Sequence, residues 1–137
     1  MMLRVAAALV VLAAPALAEQ YKINRVIDGD TVEIAVDFLP DPLPPKLSIR
    51  VLGIDTPEKA PRAECEAEAK KAAEASAFTK SAVAMAQSVE IQIEKWDKYG
   101  GRVLGHVLLD GHSLSEMLIG AGLARPYKGE AKTSWCE

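Results

Sequence analysis

The stretch Arg50-Val-Leu-Gly-Ile-Asp-Thr-Pro-Glu58 organises the predicted fold and carries the first signs of chemistry. It begins as an apolar strand and ends as a polar turn. Alternation puts Val51 on one face of the strand and Arg50 on the other. Gly53 loosens the backbone, and Pro57 ends the ladder because proline has no N–H to donate. One cation and two carboxylates therefore lie at the end of a single predicted strand.

Two further turns carry residues of the same kinds. Asp28-Gly-Asp-Thr31 lies upstream and contains Asp-Gly, a dipeptide typical of tight hairpins. Asp30 is the surplus residue there, because the turn itself does not require it. Arg102 follows a glycine-rich turn downstream. Three acids and two arginines, delivered by three turns, indicate a metal-assisted phosphodiester site.

Each of these features also has an ordinary structural explanation. The Asp28–Thr31 turn could carry acids for solvation alone. The Asp55–Glu58 segment could be a helix start, with a cap, a proline and a dipole-compensating glutamate. Arg50 and Arg102 could be exposed strand residues that pair with nearby acids. These explanations do not account for two acidic turns that a meander would bring to the same end of a barrel.

The rest of the pattern predicts a mainly β domain mixed with helices, in the order β-β-β-α-β-β-α. Strands are predicted over residues 21–27, 31–36, 46–54, 88–93 and 102–109, and a helix over 62–87. A second helix starts at Ser113, with Glu116 completing a capping box, and ends at Gly120 or Gly122. Five short strands with a helix after the third fit a small five-stranded barrel of the OB type.

Periodicity assigns the faces of the first helix. Ala75, Phe78, Ala82 and Met85 recur at three- and four-residue spacing, which predicts the buried face. Glu68 falls among the charged residues predicted to face solvent.

Residues 1–18 have the pattern of a signal peptide: Arg4, an apolar run and Ala16-Leu17-Ala18. We expect cleavage after Ala18, a periplasmic or secreted protein with no membrane attachment, and a single domain over residues 19–137. A retained N-terminal anchor is the alternative. Export implies an oxidising compartment, so Cys65 and Cys136 should form a disulfide, although two buried thiols remain possible.

The charge balance argues against a simple nucleic-acid binder. The formal net charge is −3, whereas phosphate contacts usually come from a basic face. An enzyme that holds a strand briefly in a local basic cleft is less strongly disfavoured. Two acids and a main-chain carbonyl form an oxygen-only site, which suits Ca²⁺ or Mg²⁺ and not zinc. We interpret His106 and His112 as structural or solvent-facing residues.

The aromatic residues divide into two groups. Trp96, Tyr99 and Tyr127 could offer faces for base stacking. Trp135 is more typical of a packing residue for the C-terminal tail.

At the level of motifs, the chain resembles the thermonuclease family, typified by staphylococcal nuclease. The matching segments span nearly all of the chain after residue 18 and occur in family order. They are residues 26–32, 49–58, 74–80, 97–100 and 122–124.

The resemblance implies an OB-fold barrel and Ca²⁺-dependent hydrolysis of DNA and RNA to 3′-phosphate ends, with no stable protein partner. It implies roles for eight residues. Asp30, Asp55 and the Thr56 carbonyl would ligate Ca²⁺; Glu58 would be the general base or orient the attacking water; Arg50 and Arg102 would stabilise the transition state; and Lys98 and Tyr99 would contact a neighbouring phosphate. Tyr127 lies near the base-stacking tyrosines of the family.

The chain departs from the staphylococcal pattern in three places. Gly100-Gly101 adds a residue before Arg102, the proline-rich loop at residues 37–45 is longer, and we expect no counterpart of the third helix. The Cys65–Cys136 bridge would compensate for that helix. The alternative function is a non-catalytic OB-fold module that binds nucleic acid or another periplasmic ligand. The clustered carboxylates disfavour it, since a binder of polyanions gains nothing from them.

Overall fold

A computed structural model describes residues 7–9, 19–98 and 100–136 of the chain. The predicted signal peptide lies almost wholly outside the described residues, and so does Tyr99. Within the described part, the chain contains no helix with the length and apolar character needed to span a bilayer.

The structure is mainly β with two helices. Its elements are β1 (Glu19–Gln20), β2 (Ile23–Asp28), β3 (Thr31–Ala35), β4 (Lys46–Val51), β5 (Ile54–Asp55), α1 (Glu66–Met85), β6 (Val89–Trp96), β7 (Arg102–Leu109), β8 (His112–Ser113), α2 (Leu114–Gly120) and β9 (Arg125–Pro126). The predicted order holds for the long elements, and four two-residue strands are added to it.

The main sheet runs in the order β1-β6-β7-β4-β3-β2, with β8 added beside β7. The strands β2, β3 and β4 form the antiparallel meander that the sequence predicts. β4 and β7 pair in parallel, which brings the first half of the chain against the second. The sheet curls into a half-barrel, consistent with the predicted OB-type β/α architecture.

Strict alternation in the central strands explains why the sheet curls around one core. In β7 every second residue is buried, and β4 follows the same alternation. Val32, Ile34, Ile49 and Leu118 are at most 2% exposed and belong to one apolar cluster. Ser113 caps α2 and accepts a hydrogen bond from the Glu116 N–H at 3.4 Å, as predicted.

Helix α1 closes one side of the sheet, but its buried face differs from the predicted one. Ala75 is 1% exposed and Phe78 packs against the core, as expected. Met85, at the last turn, is 81% exposed, so its prediction was wrong. Glu68 is 5% exposed, although we expected it to face solvent. Periodicity failed there because Glu68 is buried by hydrogen bonds to a neighbouring loop and not by apolar packing.

Candidate active site

The Asp28–Thr31 turn is fixed in place by helix α1 packed behind it. The Thr79 hydroxyl donates to the Gly29 carbonyl at 2.7 Å, and Thr79 is fully buried. A Cβ at Gly29 would lie 2.8 Å from the Cβ of Ala75, so the helix can approach this closely only because the residue is glycine. The turn is therefore held by the core of the protein.

Asp30 is 7% exposed, and its carboxylate accepts hydrogen bonds from two hydroxyls. The Thr31 hydroxyl donates to Oδ1 at 2.8 Å, and the Thr56 hydroxyl donates to Oδ2 at 2.9 Å. β3 and β4 pair Thr31 with Arg50, which brings the guanidinium to the same place. Arg50 Nε lies 3.2 Å from Asp30 Oδ2. The predicted meeting of the two acidic turns at one end of the meander is present.

The Nε of Arg50 is buried but does not form a hydrogen bond with any group in the described part of the chain. It is near Asp30 without pointing along the donor direction, so the contact is an ion pair and not a fork. A buried N–H without an acceptor costs free energy. The Nε–H of Arg50 is therefore a buried donor without a hydrogen bond to the described residues, held beside Asp30 by charge.

Asp55 is equally buried, at 5% exposed, but its partners come from the C-terminal tail (residues 127–136). The indole Nε1 of Trp135 donates to Oδ2 at 3.2 Å, and the Lys132 ammonium lies 3.2 Å from Oδ1. β5 pairs with β9, which sets Asp55 opposite Arg125. The tail thus engages both carboxylate oxygens of a predicted metal ligand.

Glu58 lies in the loop between β5 and α1. Its carboxylate is 40% exposed, and Arg62 approaches it at 3.6 Å. The backbone of this loop is held by Glu68, whose two carboxylate oxygens accept from the N–H groups of Glu58 at 3.0 Å and Glu64 at 2.8 Å. The main chain at Glu58 is fixed while its side chain remains accessible to water.

Arg102 begins β7 and pairs in register with Ser48. Its Nε donates to Asp97 Oδ2 at 2.5 Å. Burial alone would raise the pKa of Asp97. The hydrogen bonds from Arg102 and the Lys98 N–H, together with the charges of Arg102 and Arg50, lower it by more, so the pKa of Asp97 is below its ordinary value. Asp97 is therefore a charged anchor that orients the Arg102 guanidinium.

One open cleft collects most of the predicted site residues. Its volume is about 680 Å³. The predicted residues on its lining are Asp30, Arg50, Thr56, Glu58, Lys98, Arg102 and Tyr127. Asp55 does not line this cleft; it lines an adjacent cavity of about 190 Å³, which shares Thr56, Glu58, Arg62 and Lys132 with the cleft. The predicted residues therefore line two adjacent cavities, and Asp55 lines only the smaller one.

The cleft is basic although the chain is acidic. Eight lysine and arginine side chains line it, against four aspartates and glutamates. The cations are Arg50, Lys59, Arg62, Lys95, Lys98, Arg102, Lys128 and Lys132. A net charge of −3 for the whole chain thus conceals a local surface that attracts polyanions.

The chemistry of the donor set fits a hard divalent cation. Asp30 and Asp55 are buried carboxylates, and the hydroxyl of Thr56 contacts Asp30 directly, which leaves its carbonyl in the same segment. Oxygen donors of this kind suit Ca²⁺. The Lys132 ammonium lies at Asp55 Oδ1, so a cation already occupies this oxygen and a metal ion would have to replace it. The described residues contain one cluster of three potential ligands, Glu64, Glu68 and Cys136, but its cysteine is in a disulfide.

Sequence reasoning missed three residues that shape this region. Lys132 was not singled out, Trp135 was assigned to tail packing alone, and Glu68 was assigned to solvent. The predicted disulfide is present, with Cys65 and Cys136 Cα atoms 6.0 Å apart. That bridge was the available signal, because it brings the residues before Cys136 to the segment before α1 that contains strand β5 with Asp55 and the loop with Glu58.

Three other candidate residues lie away from the cleft, whereas Tyr127 lines it. His106 and His112 line neither cavity, and the His106 imidazole lies 3.3 Å from Glu94 on the neighbouring strand. Trp96 is 60% exposed and lines neither cavity. Tyr127 is half-buried at the cleft wall, where its backbone N–H donates to the Gly53 carbonyl at 2.8 Å.

A family model and two curated relatives all match this chain to nucleases. Residues 48–135 match the family model described as staphylococcal nuclease homologue. The chain is 36% identical over 110 residues to the thermonuclease of Staphylococcus hyicus, covering 78% of this chain and 59% of that protein. It is 32% identical over 122 residues to endonuclease YncB of Bacillus subtilis strain 168, covering 84% of this chain and 52% of that protein.

A shorter match is closer in identity. Protein ParB of Escherichia coli is 48% identical over 61 residues, or 42% of this chain and 31% of that protein. The chain spans between about half and three fifths of the length of the thermonuclease and YncB relatives.

Proposed function

Because this chain belongs to the staphylococcal nuclease homologue family, we propose that it is a Ca²⁺-dependent nuclease that hydrolyses phosphodiester bonds of DNA and RNA to 3′-phosphate ends. The observation that carries the proposal is the basic cleft of an acidic protein. Asp30, Arg50, Glu58 and Arg102 all line this cleft, and its volume of about 680 Å³ is large enough for a nucleotide. The cleft would attract a polyanion, and the proposed cation site would lie between it and the adjacent cavity that Asp55 lines.

Asp30, Asp55 and the Thr56 carbonyl would hold the Ca²⁺ ion. When bound, the ion would polarise a phosphoryl oxygen and offset its negative charge. The hydroxyls of Thr31 and Thr56 fix the Asp30 carboxylate, so its orientation is set before any ligand arrives. These residues act by binding and by positioning.

Glu58 would take a proton from the attacking water. Its carboxylate is partly exposed in the cleft while its backbone is fixed by Glu68, which suits a base that must reach a water molecule. A bond forms between the water oxygen and phosphorus, and the bond between phosphorus and the 5′-oxygen breaks. The 5′-oxygen then takes a proton from solvent.

Arg50 and Arg102 would donate to the phosphoryl oxygens as charge gathers on them. The Arg50 side chain lines the cleft and is 21% exposed, so its guanidinium could contact a phosphate bound there. Arg102 is oriented by Asp97, whose charge persists to low pH. Lys98, Tyr99 and Tyr127 would contact the neighbouring phosphate and base; Tyr99 is outside the described residues.

The test is hydrolysis of plasmid DNA and of RNA by the purified full chain, with Ca²⁺ or with a chelator. We expect cleavage with Ca²⁺ and none with the chelator. Because the product ends would carry a 3′-phosphate, a polymerase should extend them only after phosphatase treatment. Glu58→Gln and Arg102→Ala should each slow the reaction by about 10²–10³-fold, the usual cost of losing one preorganised stabilising group. Arg25→Ala is the control, because Arg25 is exposed, lies outside the cleft and pairs with Glu33.

Two outcomes would contradict the proposal. If the chain binds DNA but never cleaves it, a non-catalytic OB-fold module is the better description. If Arg102→Ala turns over at the normal rate, the additional glycine before it has moved the guanidinium away from the reacting phosphate, and its role is wrong.

Export to the periplasm or medium is part of the same proposal. The pattern of residues 1–18 supports it, and a disulfide between Cys65 and Cys136 suits an oxidising compartment. The mass of the protein recovered from the periplasm or medium tests it: we expect a chain that begins at Glu19. A mass that retains residues 1–18 would contradict cleavage.

A further inference from the structure

The tail residues at Asp55 are anchored from several sides. Cys136 is bonded to Cys65 just before α1. The Arg125 Nη1 donates to the carbonyls of Thr133 at 3.2 Å and Ser134 at 3.0 Å, and its guanidinium lies 3.8 Å from the centre of the Trp135 ring. The indole is therefore held by stacking, by the tail backbone and by the disulfide, and its N–H is fixed toward Asp55.

Lys132 is less constrained than Trp135. Its side chain is 44% exposed and it lines both the cleft and the adjacent cavity. Its ammonium lies 3.2 Å from Asp55 Oδ1 and 5.5 Å from the centre of the Tyr127 ring. A lysine has three flexible donors on a long stem, so this ammonium can leave Asp55 and still remain at the cleft wall.

The two tail residues thus have different relations to the same carboxylate. A rigid neutral N–H on Oδ2 orients a carboxylate without cancelling its charge. A mobile ammonium on Oδ1 offsets the charge of the carboxylate and occupies one of its two oxygens. The pair has one exposed partner, because the Lys132 side chain is 44% exposed while that of Asp55 is 7% exposed, so the ammonium can exchange with solvent although the carboxylate cannot.

We propose that Lys132 is a tethered competitor for the cation at Asp55, and that Trp135 is a positioning residue for the same carboxylate. Lys132 must leave Oδ1 before that oxygen can bind a divalent ion, and the cleft gives the displaced ammonium a substrate phosphate to bind. The cation and the phosphate should therefore bind cooperatively. The proposal rests on the proposed cation site, and it adds two residues that lie outside the matching motifs.

The experiment is isothermal titration of the full chain with Ca²⁺ alone. Lys132→Ala should tighten the dissociation constant by about fivefold or more, because the Asp55 carboxylate is buried and its pair with Lys132 is stronger than a fully exposed one. Trp135→Phe should weaken it by about tenfold, the lower end of what losing a group that orients a metal ligand costs. The opposite signs are the signature, since general damage to the tail would move both variants in one direction.

Lys80→Ala is the matched control, because Lys80 is exposed on α1 and lines neither cavity. Its dissociation constant should equal that of the wild type. A Lys132→Ala constant that is unchanged or weaker overturns the competitor role, and an unchanged Trp135→Phe constant overturns the positioning role.

The outcomes separate this inference from the proposed function. If the wild type binds Ca²⁺ and the variants show these effects, but nucleic acid is not cleaved, the proposed nuclease function is wrong and the roles of Lys132 and Trp135 are supported. If the protein cleaves nucleic acid but Lys132→Ala does not change the Ca²⁺ dissociation constant, only the competitor role of Lys132 is wrong. If neither the wild type nor Lys132→Ala binds Ca²⁺, both are wrong.

Discussion

Asp30 and Asp55 have nearly equal burial, 7% and 5% exposed, yet they are held by different parts of the molecule. The partners of Asp30 are Thr31, Thr56 and Arg50, which belong to the sheet and the segment beside it. The partners of Asp55 are residues of the tail, with Trp135 lying 80 positions further along the chain. The position of the Asp30 carboxylate is therefore fixed by the sheet and its neighbouring segment, whereas that of the Asp55 carboxylate depends on the C-terminal tail.

The difference teaches that burial alone does not describe a predicted ligand. Asp30 sits in front of α1, where Gly29 and Thr79 join the turn to the helix. Disturbing Asp30 requires disturbing the sheet. Asp55 lies in the two-residue strand β5, which pairs with β9 in a separate two-stranded sheet, so it can be uncovered without unfolding the main sheet.

The largest effect should come from removing the disulfide with the double change Cys65→Ser and Cys136→Ser. The bridge joins residues 71 positions apart, so its loss should lower the free energy of unfolding by about 4 kcal/mol on the chain-entropy model. Urea denaturation measures this. Because the tail is released, backbone NMR shifts should change at Asp55 and stay constant at Thr31. Equal changes at both sites would contradict the comparison.

A smaller loss should follow Glu68→Ala, which removes the acceptor for two backbone N–H groups in the loop that carries Glu58. Stability should fall by about 3 kcal/mol, because both amides are left without their charged partner. Amide hydrogen exchange should also become faster at Glu58. Glu66→Ala, an exposed change in the same helical turn, is the control. Unchanged exchange at Glu58 would show that Glu68 does not hold this loop.

The Asp30 side of the comparison is tested by Gly29→Ala. The added methyl would overlap the Cβ of Ala75, so the turn or the helix must shift. Overpacking of this kind costs about 1–3 kcal/mol. Gly120→Ala is the control, because a Cβ there meets no atom within 4 Å. A Gly29→Ala protein with wild-type stability would show that the contact between turn and helix is looser than described.

The smallest effect concerns the pH dependence of stability through Asp97. Its pKa is below the ordinary value in the folded protein, so its stabilising contribution is complete above the unfolded value of about 3.9 and is lost as pH falls through the folded value. Urea denaturation of the wild type and Asp97→Asn should differ at neutral pH and converge in acid. A difference that does not depend on pH would contradict the ion pair with Arg102.

Local patterns were sufficient to predict most of the sheet and one end of the site. The alternation in residues 102–109 and the hairpin at Asp28-Gly29 predict the strands and their buried faces, although β2 and β3 pair with two register shifts that no pattern predicts. The convergence of Asp30, Arg50 and Thr56 follows from the register of β3 with β4, because these strands are antiparallel neighbours. Signals of this kind depend on residues close together in sequence or in adjacent strands.

The tail and Glu68 could not be predicted in the same way. Residues 127–136 have no periodicity, so nothing local placed Lys132 or Trp135 beside Asp55. Glu68 looks like a solvent-facing helix residue, because helical periodicity records apolar packing and not hydrogen bonds to a loop. Three of the short strands were also missed, since two residues carry no pattern of their own, and the fourth, β5, was predicted in part as the end of the strand over residues 46–54.

The central claim is that Asp30 and Asp55 share one cation despite their different supports. The most direct measurement is a crystal structure of the full chain grown with CaCl₂, with the ion located by anomalous scattering. We predict one Ca²⁺ with carboxylate oxygens of Asp30 and Asp55 at about 2.3–2.6 Å, and with Lys132 displaced from Asp55. An ion bound by one of these carboxylates alone, or an ion elsewhere with Lys132 still on Asp55, would contradict the account.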